Sequence, residues 1–129
     1  MALSPHRDNA SFPHYRVLII APASIWRDAL VSLVRAQPRL CVGQVLDTLA
    51  AARSALTHTA VDVVIAEHGV GEAALLDFIA WLHMGGAPVR CIVAVDTQLQ
   101  QSRYLAAGAD ATLLKGCLDE VSLQQAVVG

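Results

Sequence analysis

The sequence predicts a single α/β domain built on a parallel β-sheet. Short runs of β-branched and other apolar residues alternate with helical patterns along the chain, and the connections between them are short. Strands joined by single crossover helices become neighbours in a parallel sheet, with right-handed crossings. The chain has 129 residues, of which 55% are hydrophobic. That is enough for one domain with its own core and no disulfide or metal support.

The first strand, the first helix and the second strand follow from local pattern. Residues 16–20 (RVLII) form a continuous apolar run, which is typical of a strand covered on both faces. Ser24 is expected to cap a helix that runs to about Ala36, with Trp26 on its apolar face. Residues 40–46 (LCVGQVL) are predicted as the second strand.

The middle of the chain repeats this alternation. Thr48 is expected to cap an Ala-rich helix that runs to about Thr57. Residues 61–66 (VDVVIA) are predicted as the third strand. A helix is predicted over 72–84, and the Gly-Gly pair that follows ends it.

The last two strands and helices complete a βαβαβαβαβα order. Residues 89–95 (VRCIVAV) are predicted as the fourth strand and residues 98–107 as a helix closed by Gly108. A short fifth strand is predicted over 111–114, and the last helix from about residue 119 to 128.

Composition excludes several classes of protein. Nine basic against eleven acidic residues give a net charge of −2, which argues against direct nucleic-acid binding by this domain. No apolar stretch approaches the length of a membrane span, so no membrane association is expected. Residues 1–14 are polar and contain proline but no apolar signal-peptide region, so they are predicted as a flexible tail before a domain over 15–129.

The three cysteines show no pairing or metal-binding pattern. Cys41 and Cys91 lie inside apolar runs and are expected to be buried, whereas Cys117 is expected to be exposed. A catalytic cysteine would need a base, and Cys117 has none nearby in sequence. We therefore expect a reducing cytoplasm as the location.

The ends of the predicted strands mark the place where a site would form. In open parallel sheets, ligands and chemistry collect beyond the carboxyl ends of the strands. The residues at those ends are Ala21 and Pro22 after the first strand, Glu67 and His68 after the third, Val95 and Asp96 after the fourth, and Lys115 after the fifth.

Three segments carry a resemblance to a known family. DVVIAEHGV at 62–70, GADATLLK at 108–115 and RDALVSLVRAQPRLCVGQV at 27–45 resemble the receiver domain of two-component response regulators, and in particular the NarL/FixJ-type subclass. The resemblance covers roughly residues 15–128. It implies a flavodoxin-like (CheY-like), doubly wound, five-stranded parallel sheet with strand order 2-1-3-4-5.

The resemblance also implies which residues would carry the family's chemistry. Receivers hold Mg²⁺ with an acidic pair after the first strand, and here those positions are Ala21 and Pro22. The phosphoacceptor aspartate falls on Glu67, and the family's lysine is retained as Lys115, the only lysine of the chain. We therefore expect a degenerate site without a metal or another cofactor, in which Glu67 and Lys115 pair directly.

Two further family positions are replaced. The hydroxyl residue that contacts the phosphoryl group falls on Val95, and the aromatic switch residue falls on Thr112. Two alternatives without a functional role stay open, namely that Glu67 is a solvated residue at a strand end and that Lys115 is an ordinary surface lysine. His68 beside Glu67, with Asp96 after the neighbouring strand, could also suggest a metal site. Because a His–carboxylate pair without a third ligand fixed beside it usually binds no metal, we expect none.

The last two helices are candidates for a contact surface. Receivers commonly pair through these elements, and the residues considered for the contact are Leu99, Arg103, Tyr104, Val121 and Gln125. The alternative at Tyr104 and Val121 is that both belong to the core.

The preferred function is a non-enzymatic signalling module. It would act by protein contact and without conventional Asp phosphorylation. The partner would be its own helix-turn-helix output domain, which is absent from this chain, another protein, or a second copy in a homodimer. One alternative is a receiver that still accepts a phosphoryl group from a histidine kinase. Another is a small-ligand sensor that uses the pocket around Ala21, Pro22 and Val95.

Overall fold

The fold is a five-stranded parallel sheet with helices on both faces. The computed structural model describes residues 14–85 and 88–128, so the predicted tail lies outside the described residues except for His14. The strands are β1 (Tyr15–Ile20), β2 (Leu40–Leu46), β3 (Val63–Glu67), β4 (Arg90–Val95) and β5 (Ala111–Leu114). The helices are α1 (Ile25–Arg35), α2 (Leu49–His58), α3 (Glu72–Met84), α4 (Gln98–Ala106) and α5 (Glu120–Val128). Short 3₁₀ turns follow β3 (His68–Val70) and β5 (Lys115–Cys117).

The strand order is β2-β1-β3-β4-β5, as predicted. All four neighbouring pairs are parallel. In the register of the central pair, Glu67 stands opposite Ala94, one residue before the end of β4. The carboxyl ends of β3 and β4 are therefore level, and Glu67 lies at the centre of the edge formed by the strand ends.

The core consists of two layers, one on each face of the sheet. Alternate residues of β1 face opposite layers: Val17 and Ile19 pack with α1 and α5, whereas Leu18 and Ile20 pack with α2, α3 and α4. Every residue of β3 is buried. This two-sided burial explains why the strands appear in the sequence as continuous apolar runs.

Polar caps and a glycine fix the helix ends. The Ser24 hydroxyl accepts a hydrogen bond from the Arg27 backbone N–H at 3.0 Å, and Thr48 caps α2 in the same way. Both predicted caps are therefore confirmed. Gly108 ends α4 with φ of +112°, and a Cβ there would lie 3.1 Å from His83 Cε1. Only glycine adopts this conformation without strain.

Edge position explains one wrong prediction. Cys41 is exposed and free, because β2 is an edge strand with only part of its surface covered. The pairing of β2 with β1 also shifts in register between Val17 and Leu18, which leaves Gly43 of β2 as the extra residue of a bulge. Cys91, in the central strand β4, is buried as expected, and Cys117 is exposed as expected.

No helix within residues 14–85 and 88–128 is long and apolar enough to cross a membrane.

Candidate functional site

The candidate site lies beyond the carboxyl ends of the strands, where the topology brings the predicted positions together. Glu67 ends β3, Val95 ends β4, and Lys115 follows β5 directly. Ala21 follows β1, and its N–H donates to the Leu46 carbonyl at 2.9 Å, which continues the β1–β2 pairing by one residue. The strand order and register alone therefore bring the backbones of these residues to one edge of the sheet.

Glu67 and Lys115 form a direct ion pair. The Lys115 Nζ lies 3.3 Å from Glu67 Oε1, as predicted. Glu67 is only 6% exposed, so the alternative of a solvated strand-end carboxylate is wrong. Asp96 Oδ1 lies 3.7 Å from the same ammonium but is much more exposed. Since burial reduces screening by water, the pair with Glu67 is the stronger of the two contacts.

The second oxygen of Glu67 is held by the turn that follows β3. Glu67 Oε2 accepts a short hydrogen bond from the Gly69 backbone N–H. A Cβ at Gly69 would stand 2.6 Å from this oxygen, closer than real Cβ contacts come. Glycine at 69 therefore lets the backbone approach the carboxylate, a role that the sequence did not reveal.

The end of β1 carries no carboxylate. Ala21 is fully buried, and its carbonyl accepts a hydrogen bond from Arg27 Nη1 at 3.0 Å. A guanidinium therefore lies at the backbone of the residue whose side chain the resemblance would make a carboxylate. Among the described residues, no group of three or more His, Cys, Asp or Glu could hold a metal ion. Mg²⁺ is usually bound by one or two carboxylates together with waters and phosphate oxygens, and the end of β1 supplies none of those carboxylates, so the residues there do not fit the ion.

The two switch positions have different surroundings. Val95 is fully buried in the core layer below α4. Thr112 is half-buried, and its hydroxyl accepts a hydrogen bond from Gln101 Nε2 at 3.0 Å. Three cavities described on the molecule are lined by other residues than Ala21, Pro22 and Val95.

Trp26 is a member of the site that the sequence pattern did not identify. Its indole Nε1 donates to the Lys115 backbone carbonyl at 3.3 Å. The Lys115 Nζ also lies 5.3 Å from the centre of the Trp26 ring. The pattern placed this residue on the apolar face of the first helix, and Trp26 does pack against the core on that side. Contacts between residues 89 positions apart leave no signal in local periodicity.

Tyr104 belongs to the core, so the prediction that it lies on a contact surface is wrong. Its side chain, on the inner face of α4, is fully buried, and the hydroxyl is hydrogen-bonded to His68 Nδ1 at 2.7 Å. Burial raises the pKa of Tyr104 to about 12, and the carboxylate of Glu72 contributes to the rise. The tyrosine therefore connects α4 to the turn that follows Glu67.

The other four contact candidates lie on the surface. Leu99 is 63% exposed and Val121 65% exposed, so the alternative that Val121 is a core residue is wrong. Gln125 is exposed, and Arg103 is exposed and paired with Glu72 at 3.4 Å. Their role in a contact remains a prediction.

Comparison with known proteins identifies the fold. No protein-family model matches the sequence, and no curated protein matches it. The signal receiver domain assigned to the response regulator NarL of Mycobacterium tuberculosis has a TM-score of 0.76 at 19% identity, covering 90% of this chain and 94% of that one. A chain in the complex of the CheA3 P1 domain with CheY6 from R. sphaeroides has a TM-score of 0.73 at 16% identity, covering 88% and 93%.

A third structure includes DNA. RcsB from Salmonella enterica serovar Typhimurium, bound to promoter rprA in the presence of phosphomimetic BeF₃⁻, has a TM-score of 0.74 at 15% identity, and the match covers 90% of this chain and 67% of that one. At these identities the likeness establishes the fold, which is the flavodoxin-like, CheY-like fold of receiver domains, as predicted.

Proposed function

We propose that this chain is a receiver-like signalling module in which a fixed Glu67–Lys115 ion pair stands where receivers have a phosphorylation switch. The observation that carries the proposal is the 3.3 Å distance between Lys115 Nζ and Glu67 Oε1. The lysine is already engaged by a carboxylate of the chain itself. It therefore needs no incoming phosphoryl group to hold it in place.

The surroundings of the pair support a function without conventional phosphorylation. Phosphoryl transfer requires neutralisation of the charge on the transferred group, chiefly by a metal ion. Ala21 and Pro22 offer no carboxylate for such an ion, and Val95 offers no hydroxyl for a phosphoryl oxygen. Arg27 adds a cation at the Ala21 backbone carbonyl, beside the two residues where the resemblance implies the acidic pair.

The module would act through protein contact and not as an enzyme. RcsB is seen with DNA and CheY6 with a domain of CheA3. The partner of this module would therefore be a DNA-binding output domain or a separate protein, and the module would act in the cytoplasm. A second copy of the chain is a further option. The contact would use the exposed side chains of α4 and α5: Leu99, Arg103, Val121 and Gln125. Direct contact of this domain with nucleic acid is disfavoured by its net charge of −2.

Intact-mass measurement after incubation with Mg²⁺ and acetyl phosphate tests the proposal. The wild-type chain is expected to gain no phosphoryl adduct. The matched variant is Ala21→Asp/Pro22→Asp/Glu67→Asp, which introduces two carboxylates and shortens the third, and a receiver with an intact acidic pair is the positive control. An adduct on wild-type Glu67 would overturn the proposal and favour a receiver that accepts a phosphoryl group from a histidine kinase.

The ligand-sensing alternative lacks a supporting observation. Ala21 and Val95 are both fully buried, so their side chains are packed and line none of the three cavities described above. We therefore do not propose it.

A further inference from the structure

The Glu67–Lys115 pair has a neighbour whose role the proposed function does not explain. Trp26 is the second residue of α1, which follows β1, whereas Lys115 follows β5. In the sheet, β3 and β4 lie between these two strands. A contact between Trp26 and Lys115 therefore joins the two connections on either side of the strand ends that carry Glu67 and Val95.

The contact has two components with different chemistry. The indole N–H donates to the Lys115 carbonyl at 3.3 Å and so fixes the backbone of the turn after β5. The indole ring faces the Lys115 ammonium, with 5.3 Å between Nζ and the ring centre. A cation at this distance from an aromatic face is attracted by the negative potential of the ring.

Lysine alone would not hold the pair in place. Its side chain has four rotatable bonds, and an ion pair that is partly open to water is weak because ordering the chain opposes it. The Lys115 side chain retains 23% exposure, and Asp96 at 3.7 Å offers the ammonium a second, more exposed partner. An aromatic ring on one side of the lysine restricts its rotamers and so favours the ion pair with Glu67 over the one with Asp96.

We propose that Trp26 is a positioning residue that holds the Lys115 ammonium against Glu67 and limits access to the pair from solvent. Trp26 thereby keeps the site in one state. This inference rests on the proposed function, since it concerns the same ion pair, and it adds the element that makes the pair fixed.

The single lysine makes a direct test feasible. Lys115 is the only lysine in the sequence, so acetylation by acetic anhydride, followed by peptide mass spectrometry, reports its reactivity alone. The rate is measured on the full folded chain at one pH, against an added lysine derivative as reference. Three variants are compared with the wild type: Trp26→Leu, which removes both contacts, Trp26→Phe, which keeps only the ring, and Glu67→Gln, which removes the charge of the partner.

Trp26→Leu is expected to raise the Lys115 acetylation rate about two- to fivefold, the change that corresponds to loss of a partly exposed cation–π contact. Trp26→Phe is expected to raise it less, because a ring remains. The matched control is Trp81→Phe, at the only other tryptophan, which stacks on Phe78 away from the site and should leave the rate unchanged.

The outcomes separate this inference from the proposed function. If Glu67→Gln raises the rate and Trp26→Leu leaves it at the wild-type value, the ion pair stands and the role of Trp26 is refuted. If Trp26→Leu raises the rate and Glu67→Gln does not, Trp26 shields the lysine but the fixed pair fails. If neither variant changes the rate, both proposals fail.

A measurement without substitution covers the case in which Trp26→Leu does not fold. Deuterium exchange of the two indole N–H groups is followed by NMR on the wild-type chain. Because Trp26 Nε1 donates to the Lys115 carbonyl, its exchange is expected to be several-fold slower than that of Trp81, as hydrogen bonding protects an N–H. Equal exchange rates would overturn the proposal.

Discussion

At the scale of single residues, the site depends on one carboxylate that is held from two sides. Glu67 Oε1 faces the Lys115 ammonium, and Oε2 accepts the Gly69 N–H. Because Glu67 is 6% exposed, an oxygen that loses its partner gains little water in exchange. A buried acceptor left without a hydrogen bond costs about 1–3 kcal/mol, and more when it is charged. The position of the carboxylate is thus sensitive to both partners.

Substitution Gly69→Ala tests the backbone side of this arrangement. The added Cβ would stand 2.6 Å from Glu67 Oε2, so the carboxylate or the turn must move and the hydrogen bond is lost. We expect a loss of about 1–3 kcal/mol in the free energy of unfolding, measured by urea denaturation. Gly116→Ala is the control, because a Cβ at Gly116 meets nothing within 4 Å. Equal effects of the two substitutions would contradict the proposed contact.

At the scale of elements, α4 shows how far the sequence could be interpreted. Its length and the closing Gly108 follow from pattern, but apolar side chains occur on more than one of its faces. Tyr104 is fully buried, whereas its neighbour Leu105 is 48% exposed and Leu99 is 63% exposed. The residue types alone do not show which of them turns towards the sheet, since a leucine and a tyrosine each suit either place.

The same limit applies to contacts between elements. The set of strand-end residues was predictable because parallel strands bring their carboxyl ends to one edge, and the resemblance to receivers then implied the pairing of Glu67 with Lys115. The hydrogen bonds from Trp26 to Lys115 and between His68 and Tyr104 join side chains 89 and 36 residues apart. They depend on rotamers and on the exact positions of helices, which periodicity does not specify. The start of β3 at Val63, two residues later than predicted, reflects the same uncertainty at element ends.

The N-terminus of α5 gives an element-scale prediction on pH. Asp119 Oδ1 accepts hydrogen bonds from the Ser122 N–H at 2.8 Å and from the Ser122 hydroxyl. These bonds lower the pKa of Asp119 below its usual range. Since the folded state favours the ionised carboxylate, the contribution of Asp119 to the stability of the fold is fully present above its pKa in the unfolded state, about 3.9. It is lost as pH falls through the lower pKa of the folded state.

Thermal unfolding of wild type and Asp119→Asn across pH checks this expectation. The wild type should unfold at the higher temperature near neutral pH, and the difference should shrink as the pH falls below about 4. Asp77→Asn, at an exposed aspartate within α3, is the control and should not alter the pH dependence. A constant difference between wild type and Asp119→Asn would show that the charge of Asp119 does not contribute.

At the scale of the whole molecule, the fold and the chemistry at its edge are separable. The two core layers are formed by the strands and the inner faces of the helices, and the stability of the fold comes mainly from that burial. Ala21, Glu67 and Lys115 lie at or just beyond strand ends. The side chains at these positions contribute little to the two core layers apart from Ala21, so we expect that the residue types at the strand ends can vary without altering the strand order.

Stability in the presence of Mg²⁺ tests this separation on the intact chain. An ion bound with a Kd of about 1 mM would stabilise the folded state by about 1.4 kcal/mol at about 10 mM. For a domain of this size that would raise the Tm by roughly 3–6 °C. We expect a change below about 1 °C for the wild type, relative to NaCl at equal ionic strength. Ala21→Asp/Pro22→Asp, which restores two carboxylates at the end of β1, is expected to gain a Mg²⁺-dependent rise. A rise of several degrees in the wild type would show that the folded chain binds Mg²⁺ without that acidic pair, and the separation of fold from metal chemistry would then be wrong.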